Sequence, residues 1–176
     1  MLTLFESYLK LTDYDITYAC KKLKEIQSLT DEGFIEWQKN QKLRIAKFHY
    51  KNNSMYRKRV GNFFPQKWED LPVLEKSDFQ GDIESKISNL FSKKDLYIAN
   101  TSGSSGHPFF FAKDKFSHAM AWAIIKDRYS WHGLKINSNQ ARFYGIPLEL
   151  SKKFKEKVKD WIINRYRFSV FDMSDK

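Results

Sequence analysis

The chain has 176 residues, of which 41% are hydrophobic and 16% aromatic, a composition that suits an ordinary globular domain and excludes a disordered chain. Its single cysteine, Cys20, excludes an intramolecular disulfide framework and is typical of a reducing, cytoplasmic setting. No apolar run approaches the roughly 20 residues of a membrane-spanning helix, so we expect no membrane span, and the N-terminus lacks the pattern of a signal peptide.

The net charge of +10 could attract a polyanion, and most of the excess lies after residue 100. The stretch from Lys42 to Arg59 contains seven basic and no acidic residues, with His49, Tyr50 and Tyr56 interleaved. This composition suits a nucleic-acid surface. A solvated basic face is the more common explanation of such a stretch, so nucleic-acid binding is the less favoured interpretation.

The first part of the sequence predicts a helical region. Apolar spacing near the helical repeat predicts short helices over residues 2–10 and 15–28 and a longer one over 34–50. The segment from Thr30 to Gly33 is expected to break the pattern before the longer helix. That helix is expected to face a core along part of its length, with apolar side chains at Phe34, Trp37, Ile45 and Phe48.

A connector follows over residues 62–74, because Pro65 and Pro72 stop helices. The sequence Ser77-Asp78-Phe79-Gln80 then has the S-x-x-Q form of a capping box and predicts a short helix that begins at Ser77. Asp78 is therefore expected to serve the start of this helix and not a catalytic role.

The second part predicts an α/β fold. Two helices are expected among its strands, one capped by Asp114 and one basic and amphipathic over residues 151–166. The latter could lie on an anionic membrane, but the alternation of strand and helix favours a helix that covers a sheet. One mixed sheet is expected from four predicted strands, at residues 96–99, 109–112, 141–146 and 168–171.

The principal candidate site is the polar loop Thr101-Ser102-Gly103-Ser104-Ser105-Gly106-His107-Pro108 between two of these strands. Backbone N–H groups beside glycine can converge on an anion and the hydroxyls add donors, so nucleotide phosphates are the expected ligand. The loop is not a Walker A motif, which has Lys and a hydroxyl residue after its last Gly. It also lacks the first Gly of the dinucleotide fingerprint. An ordinary hairpin connection is the alternative.

The same loop resembles the phosphate-binding loop of adenylate-forming enzymes, in which two pairs of hydroxyl residues, each followed by Gly, precede a variable residue and Pro. Two upstream stretches, the helical His49–Arg57 and Trp68–Phe79, are similar to those of the phenylacetate-CoA ligase branch and its capsular-polysaccharide relatives. All three stretches agree with that branch in order and spacing.

This resemblance implies an ATP-dependent ligase that activates a small carboxylate with Mg²⁺, releases pyrophosphate and, in this branch, transfers the acyl group to CoA. It implies an N-terminal helical layer over residues 1–66 and the start of a nucleotide-binding α/β subdomain over residues 67–176. A homodimer stays open. The family's ribose, adenine and Mg²⁺ ligands and its mobile lysine would lie beyond Lys176, so we expect the first part of a longer enzyme that is inactive alone.

The sequence departs from the family at one position and leaves other classes open. Many family loops place Lys directly after the Pro, whereas this chain has Phe109, and Lys113 and Lys115 are the nearest cations along the sequence. Four histidines and one cysteine without metal-ligand spacing predict no zinc site. The alternatives are a non-catalytic remnant or interaction module and, less favoured, a basic nucleic-acid-binding protein.

Overall fold

A computed structural model of the protein describes residues 3–101, 108–144 and 150–170. Helices and strands alternate in the second part of the chain, which confirms the coarse prediction of an α/β protein. No helix in the described ranges is long and apolar enough to cross a membrane. The helices are α1 (Leu4–Leu11), α2 (Ile16–Gln27), α3 (Asp31–Asn52), α4 (Ser54–Val60), α5 (Ile83–Lys86), α6 (Lys115–Ser130) and α7 (Leu150–Ile163), and the strands are β1 (Tyr97–Asn100), β2 (Phe110–Lys113), β3 (Gln140–Tyr144) and β4 (Arg165–Ser169).

The chain forms two compact units, and the first of them combines two segments that are far apart in the sequence. The first contains Met1–Cys20 and Ala119–Lys176, and the second contains Lys21–His118. The predicted domains 1–66 and 67–176 are consecutive parts of the sequence, and the two compact units do not test this division, which stays a prediction.

The first unit is built around a small apolar core. The rings of Phe5 and Trp122 meet edge to face with 4.5 Å between their centroids, a favourable geometry for two aromatic side chains. Each buried aliphatic or aromatic side chain contributes about 1.5–3 kcal/mol through its removal from water. The buried members of the core are Phe5, Leu9, Ile16, Ile136 and Ile163.

Helix α1 begins with a capping box. The backbone N–H of Glu6 donates to Thr3 Oγ1 at 3.2 Å, and the N–H of Thr3 donates to Glu6 Oε2 at 2.7 Å. The other carboxylate oxygen of Glu6 pairs with the ammonium of Lys126 on α6. Glu6 is only 2% exposed, so one buried carboxylate both starts α1 and fastens it to α6.

Helix α7 ends earlier than predicted. Asn164 adopts φ +56°, a left-handed conformation that stops a helix and that Asn tolerates better than most residues. Its side-chain amide also donates to the carbonyl of Asn137 at 2.9 Å. The prediction of a helix to Tyr166 was therefore wrong, and the following strand begins at Arg165 instead of residue 168.

The prediction of one mixed sheet was also wrong for the described residues, in which the strands form two separate two-stranded sheets. Strands β1 and β2 flank a short loop and pair antiparallel, whereas β3 and β4 flank α7 and pair parallel. A tight loop can join only antiparallel neighbours, and a parallel pair needs a crossover such as a helix. The predicted strand residues 145–146 and 171 lie outside the described residues.

Helix α3, in the second unit, begins earlier than the sequence interpretation placed it. Thr30 is the N-cap of α3, and its Oγ1 accepts the N–H of Gly33 at 3.1 Å. Thr30–Gly33 therefore starts the helix instead of breaking it. The expectation that α3 faces a core through its large apolar side chains was wrong in part. Phe34 and Ile45 are 40% and 49% exposed, and within this helix, all of which the structure describes, Ala46 is the only buried residue.

Of the two helix starts predicted from capping residues, Ser77 and Asp114, only the second is confirmed. The predicted short helix near Ser77 is a 3₁₀ turn over Lys76–Phe79, and Asp78 caps it by accepting the N–H of Glu75 at 2.8 Å. The Ser77–Gln80 pairing was therefore wrong, because the turn begins one residue earlier. The N-cap role of Asp114 is confirmed, since its Oδ1 accepts the N–H of Ser117 at 2.6 Å in the first turn of α6.

Candidate functional site

The candidate loop connects the two strands of the antiparallel hairpin in the second unit. Asn100 of β1 pairs with Phe110 of β2 at the end of the ladder. One step further, the N–H of Thr101 donates to the carbonyl of Phe109 at 3.0 Å, and the N–H of Phe109 donates to Thr101 Oγ1 at 3.1 Å. The predicted strand-loop-strand arrangement is confirmed, and Thr101 and Phe109 close its base.

Two of the eight predicted site residues, Thr101 and Pro108, belong to the described part of the chain, and both are exposed. The Thr101 hydroxyl accepts one hydrogen bond from Phe109. A hydroxyl can donate one bond while it accepts others, so its proton can still reach a ligand oxygen. The remaining predicted residues, Ser102, Gly103, Ser104, Ser105, Gly106 and His107, lie outside the described residues.

The backbones of the two cations nearest to the loop in the sequence lie towards the other end of the hairpin, although the Lys113 ammonium lies 5.5 Å from the centroid of the Phe111 ring, part of the way back along β2. Lys113 pairs with Tyr97 at the opposite end of the hairpin, roughly 10 Å from Phe110 at about 3.4 Å per residue. Hydrogen bonds from Ser92 lower the pKa of Asp95, and Lys115 adds a smaller electrostatic contribution. Asp95 precedes β1, so Lys115 too lies at the end of the hairpin that is remote from the loop.

The structure instead brings Lys86 to the base of the loop. The ammonium of this α5 residue lies 5.3 Å from the centroid of the Phe109 ring, within the range of a cation–π interaction. It also lies 3.4 Å from the carbonyl oxygen of Phe110. Sequence reasoning missed Lys86, because a lysine well upstream of the loop on a single-turn helix leaves no periodic or motif signal.

Asn53 holds the backbone of Lys86 in place. Its Nδ2 donates to the Lys86 carbonyl at 2.7 Å, and its Oδ1 accepts the N–H of Tyr56 at 2.8 Å as the N-cap of α4. Asn53 is 4% exposed. The stretch His49–Arg57, expected to be one helical segment, is thus two helices with Asn53 between them, and this residue connects both helices with α5.

The second stretch that carries the family resemblance also reaches the hairpin. The Phe79 ring lies edge-on to the ring of Phe109, with centroids 6.4 Å apart. Its neighbour Asp78 forms an ion pair with Arg59 at 2.9 Å. Asp78 therefore has the structural role that was expected of it.

Two of the histidines, His49 and His118, pack against aromatic rings. His49 lies edge-on to Phe48 with centroids 5.4 Å apart, and burial lowers the pKa of His49 below its ordinary value. His118 stacks on Tyr97 at 4.0 Å. In the described ranges no group of His, Cys, Asp or Glu could hold a metal ion.

Much of the basic stretch from Lys42 to Arg59 is used within the protein. Arg57 donates to the carbonyls of Tyr50 and Lys51 at 2.9 Å and 2.6 Å, near the C-terminal end of α3. Such a cation stabilises carbonyls that lack helical partners. The Lys42 ammonium lies over the Trp68 ring at 5.9 Å from its centroid, so the aromatic residues anchor basic side chains of the helix.

Comparison with known proteins adds no relative: no protein-family model, curated protein or solved structure matches this chain.

Proposed function

We propose that the chain is the nucleotide-binding N-terminal part of an ATP-dependent, carboxylate-activating ligase of the phenylacetate-CoA ligase type. The observation that carries the proposal is the closure of the hydroxyl- and glycine-rich loop by Thr101 and Phe109 at the end of a β-hairpin. A loop with fixed ends can present several backbone N–H groups to one anion.

The described residues at this hairpin fit a phosphate group. Thr101 can donate its hydroxyl proton, and the ammonium of Lys86 lies beside the rings and carbonyls that follow the loop. Charge-assisted hydrogen bonds of this kind are short and roughly twice as strong as neutral ones.

The two upstream stretches support the proposal through their position. Asn53 and Phe79, one from each stretch, contact Lys86 and Phe109 respectively. Phe79 thus contacts the hairpin directly, and Asn53 is linked to it through Lys86. In the proposed enzyme, ATP and a small carboxylate are the substrates and CoA is the acyl acceptor of this branch.

Isothermal titration calorimetry with Mg-ATP tests the proposal. We expect saturable binding by the chain and its loss in Gly103→Asp, because a carboxylate in the loop would repel phosphate and occupy its space. Asn40→Asp adds the same charge at an exposed position in α3 and should bind like the wild type. Wild-type protein that does not bind Mg-ATP, or equal binding by Gly103→Asp, would contradict the proposal.

The same titration separates the alternatives. An interaction module would bind its partner equally well with and without the Gly103→Asp change. A nucleic-acid-binding protein would bind DNA with an affinity that falls steeply as salt rises, because bound phosphates release counterions. The internal contacts of Arg57, Arg59 and Lys42 make this last alternative the weaker one.

A further inference from the structure

The outer edge of the β1–β2 hairpin carries a cation next to the loop. Thr101 and Phe109 face each other through a hydrogen bond. Because inward and outward bonding groups alternate along an antiparallel pair, the carbonyl of the next residue, Phe110, points away from β1. The ammonium of Lys86 lies 3.4 Å from this oxygen. It therefore lies along the outer edge of the hairpin, beside the first residue of β2 after the loop.

The backbone of Lys86 is held on both sides. The buried Asn53 amide donates to its carbonyl at 2.7 Å, and α5 contacts both α4 and β2. The side chain then passes the face of the Phe109 ring, whose centroid lies 5.3 Å from the ammonium. These contacts restrict part of the conformational freedom of the side chain before the cation meets an anion at the loop, which favours binding.

The charge of Lys86 is also not neutralised within the described chain. No ion pair of Lys86 with a carboxylate occurs in the described ranges, and Glu84, the acidic residue of the same helix, pairs with Lys93 at 2.7 Å. The bond to the Phe110 carbonyl is long and involves a neutral acceptor. An ammonium has further N–H donors, and these can bind a more strongly charged oxygen.

We infer that Lys86 is a phosphate-binding residue, whose ammonium contacts the polyphosphate of the nucleotide held by the Thr101–Pro108 loop. The inference rests on the proposed function and adds to it a residue that the loop motif does not contain. The Lys86 ammonium lies over the ring of Phe109, next to the loop, whereas that of Lys113 lies over the ring of Phe111, further along β2.

Calorimetry with Mg-ATP, tripolyphosphate and adenosine tests the inference on the whole chain. Lys86→Met keeps the length of the side chain and removes the charge, Lys86→Arg keeps the charge, and Lys94→Met removes a charge from an exposed position nearby. We expect Lys86→Met to weaken Mg-ATP and tripolyphosphate about 10- to 100-fold, the loss of one charged hydrogen bond. Lys86→Arg should recover most of the affinity, and Lys94→Met should match the wild type.

The ligands and variants together make the failures distinguishable. If wild-type protein binds Mg-ATP, Gly103→Asp abolishes binding and Lys86→Met stays within twofold of wild type, the inference is wrong and the proposed function stands. If neither Mg-ATP nor tripolyphosphate binds to wild type, both fail. Equal weakening by Lys94→Met would show a general effect of charge and overturn the role of Lys86. Circular dichroism of each variant verifies that it is folded.

Discussion

The side-chain amide of Asn53 donates to the backbone carbonyl of Lys86 at 2.7 Å, across 33 residues of sequence. The same side chain caps α4, and the backbone N–H of Asn53 donates to the carbonyl of His49 at the end of α3. One buried residue thus fixes the junction of two helices and the position of the lysine at the candidate site.

We therefore expect Asn53→Ala to destabilise the protein by about 2 kcal/mol, because it removes a helix cap and leaves the Lys86 carbonyl without its partner. Urea denaturation followed by circular dichroism measures the change. Asn40→Ala, at an exposed position in α3, is the matched control and should cost nothing or stabilise the helix slightly. Equal stabilities of the two variants would show that Asn53 does not hold this junction.

Glu6 gives the first unit a pH-dependent contribution to stability. Burial raises the pKa of Glu6, but hydrogen bonds from Lys126 and Thr3 outweigh it and hold the pKa below the ordinary value of 4.5. The unfolded chain therefore takes up its proton first as the pH falls. The stability from Glu6 is present above about pH 4.5 and is lost as the pH falls through the lower pKa of the folded state.

The variant Glu6→Gln should lower the free energy of unfolding by about 2 kcal/mol near neutral pH. This is less than the cost of breaking a fully buried pair, because Lys126 is 44% exposed. The decline in stability below about pH 4.5 should also be less steep in the variant than in wild type, because the contribution of Glu6 is absent. Glu25→Gln, which breaks the exposed pair with Lys22, is the control and should have a much smaller effect. An acid profile of Glu6→Gln that parallels that of wild type would contradict the role of the capping carboxylate.

His49 should titrate below the ordinary histidine pKa. Its ring lies among Phe48 and Tyr56, and burial lowers its pKa because the charged form loses its hydration. The unfolded chain then binds this proton first, so His49 contributes stability above about pH 6.5 that is lost at lower pH. NMR titration of the imidazole should give a midpoint below that in concentrated urea. Equal midpoints would place His49 in solvent.

The local parts of the fold could be predicted from the sequence, because their signals are local. The loop composition between apolar runs predicts the hairpin, and Asp114 before an apolar repeat predicts the start of α6. Thr3 and Glu6 form a capping box that the sequence pattern contains but that the helix prediction for residues 2–10 did not use. Thr30 was misread because its polar run resembles a turn as much as an N-cap.

The rest depends on tertiary contacts that no local pattern contains. Strand periodicity predicts β1 to β4 without their partners, so the separation into two sheets was not foreseen. Lys86 gains its position from Asn53 and from the outer edge of β2. Along the sequence Lys113 and Lys115 are the cations nearest to the loop, but the backbone of Lys113 pairs with Tyr97 at the other end of the hairpin.

The most direct test of the central claim is an amide NMR titration of the isotope-labelled chain with Mg-ATP. We predict saturable shifts of the amide signals of Thr101 and Phe109, whose mutual hydrogen bonds close the loop, and of the Lys86 amide beside them. The Gly103→Asp variant should lose these shifts at the same nucleotide concentrations. Unchanged signals at Thr101 and Phe109, or shifts confined to the basic residues of α3 and α4, would contradict a phosphate site at this hairpin.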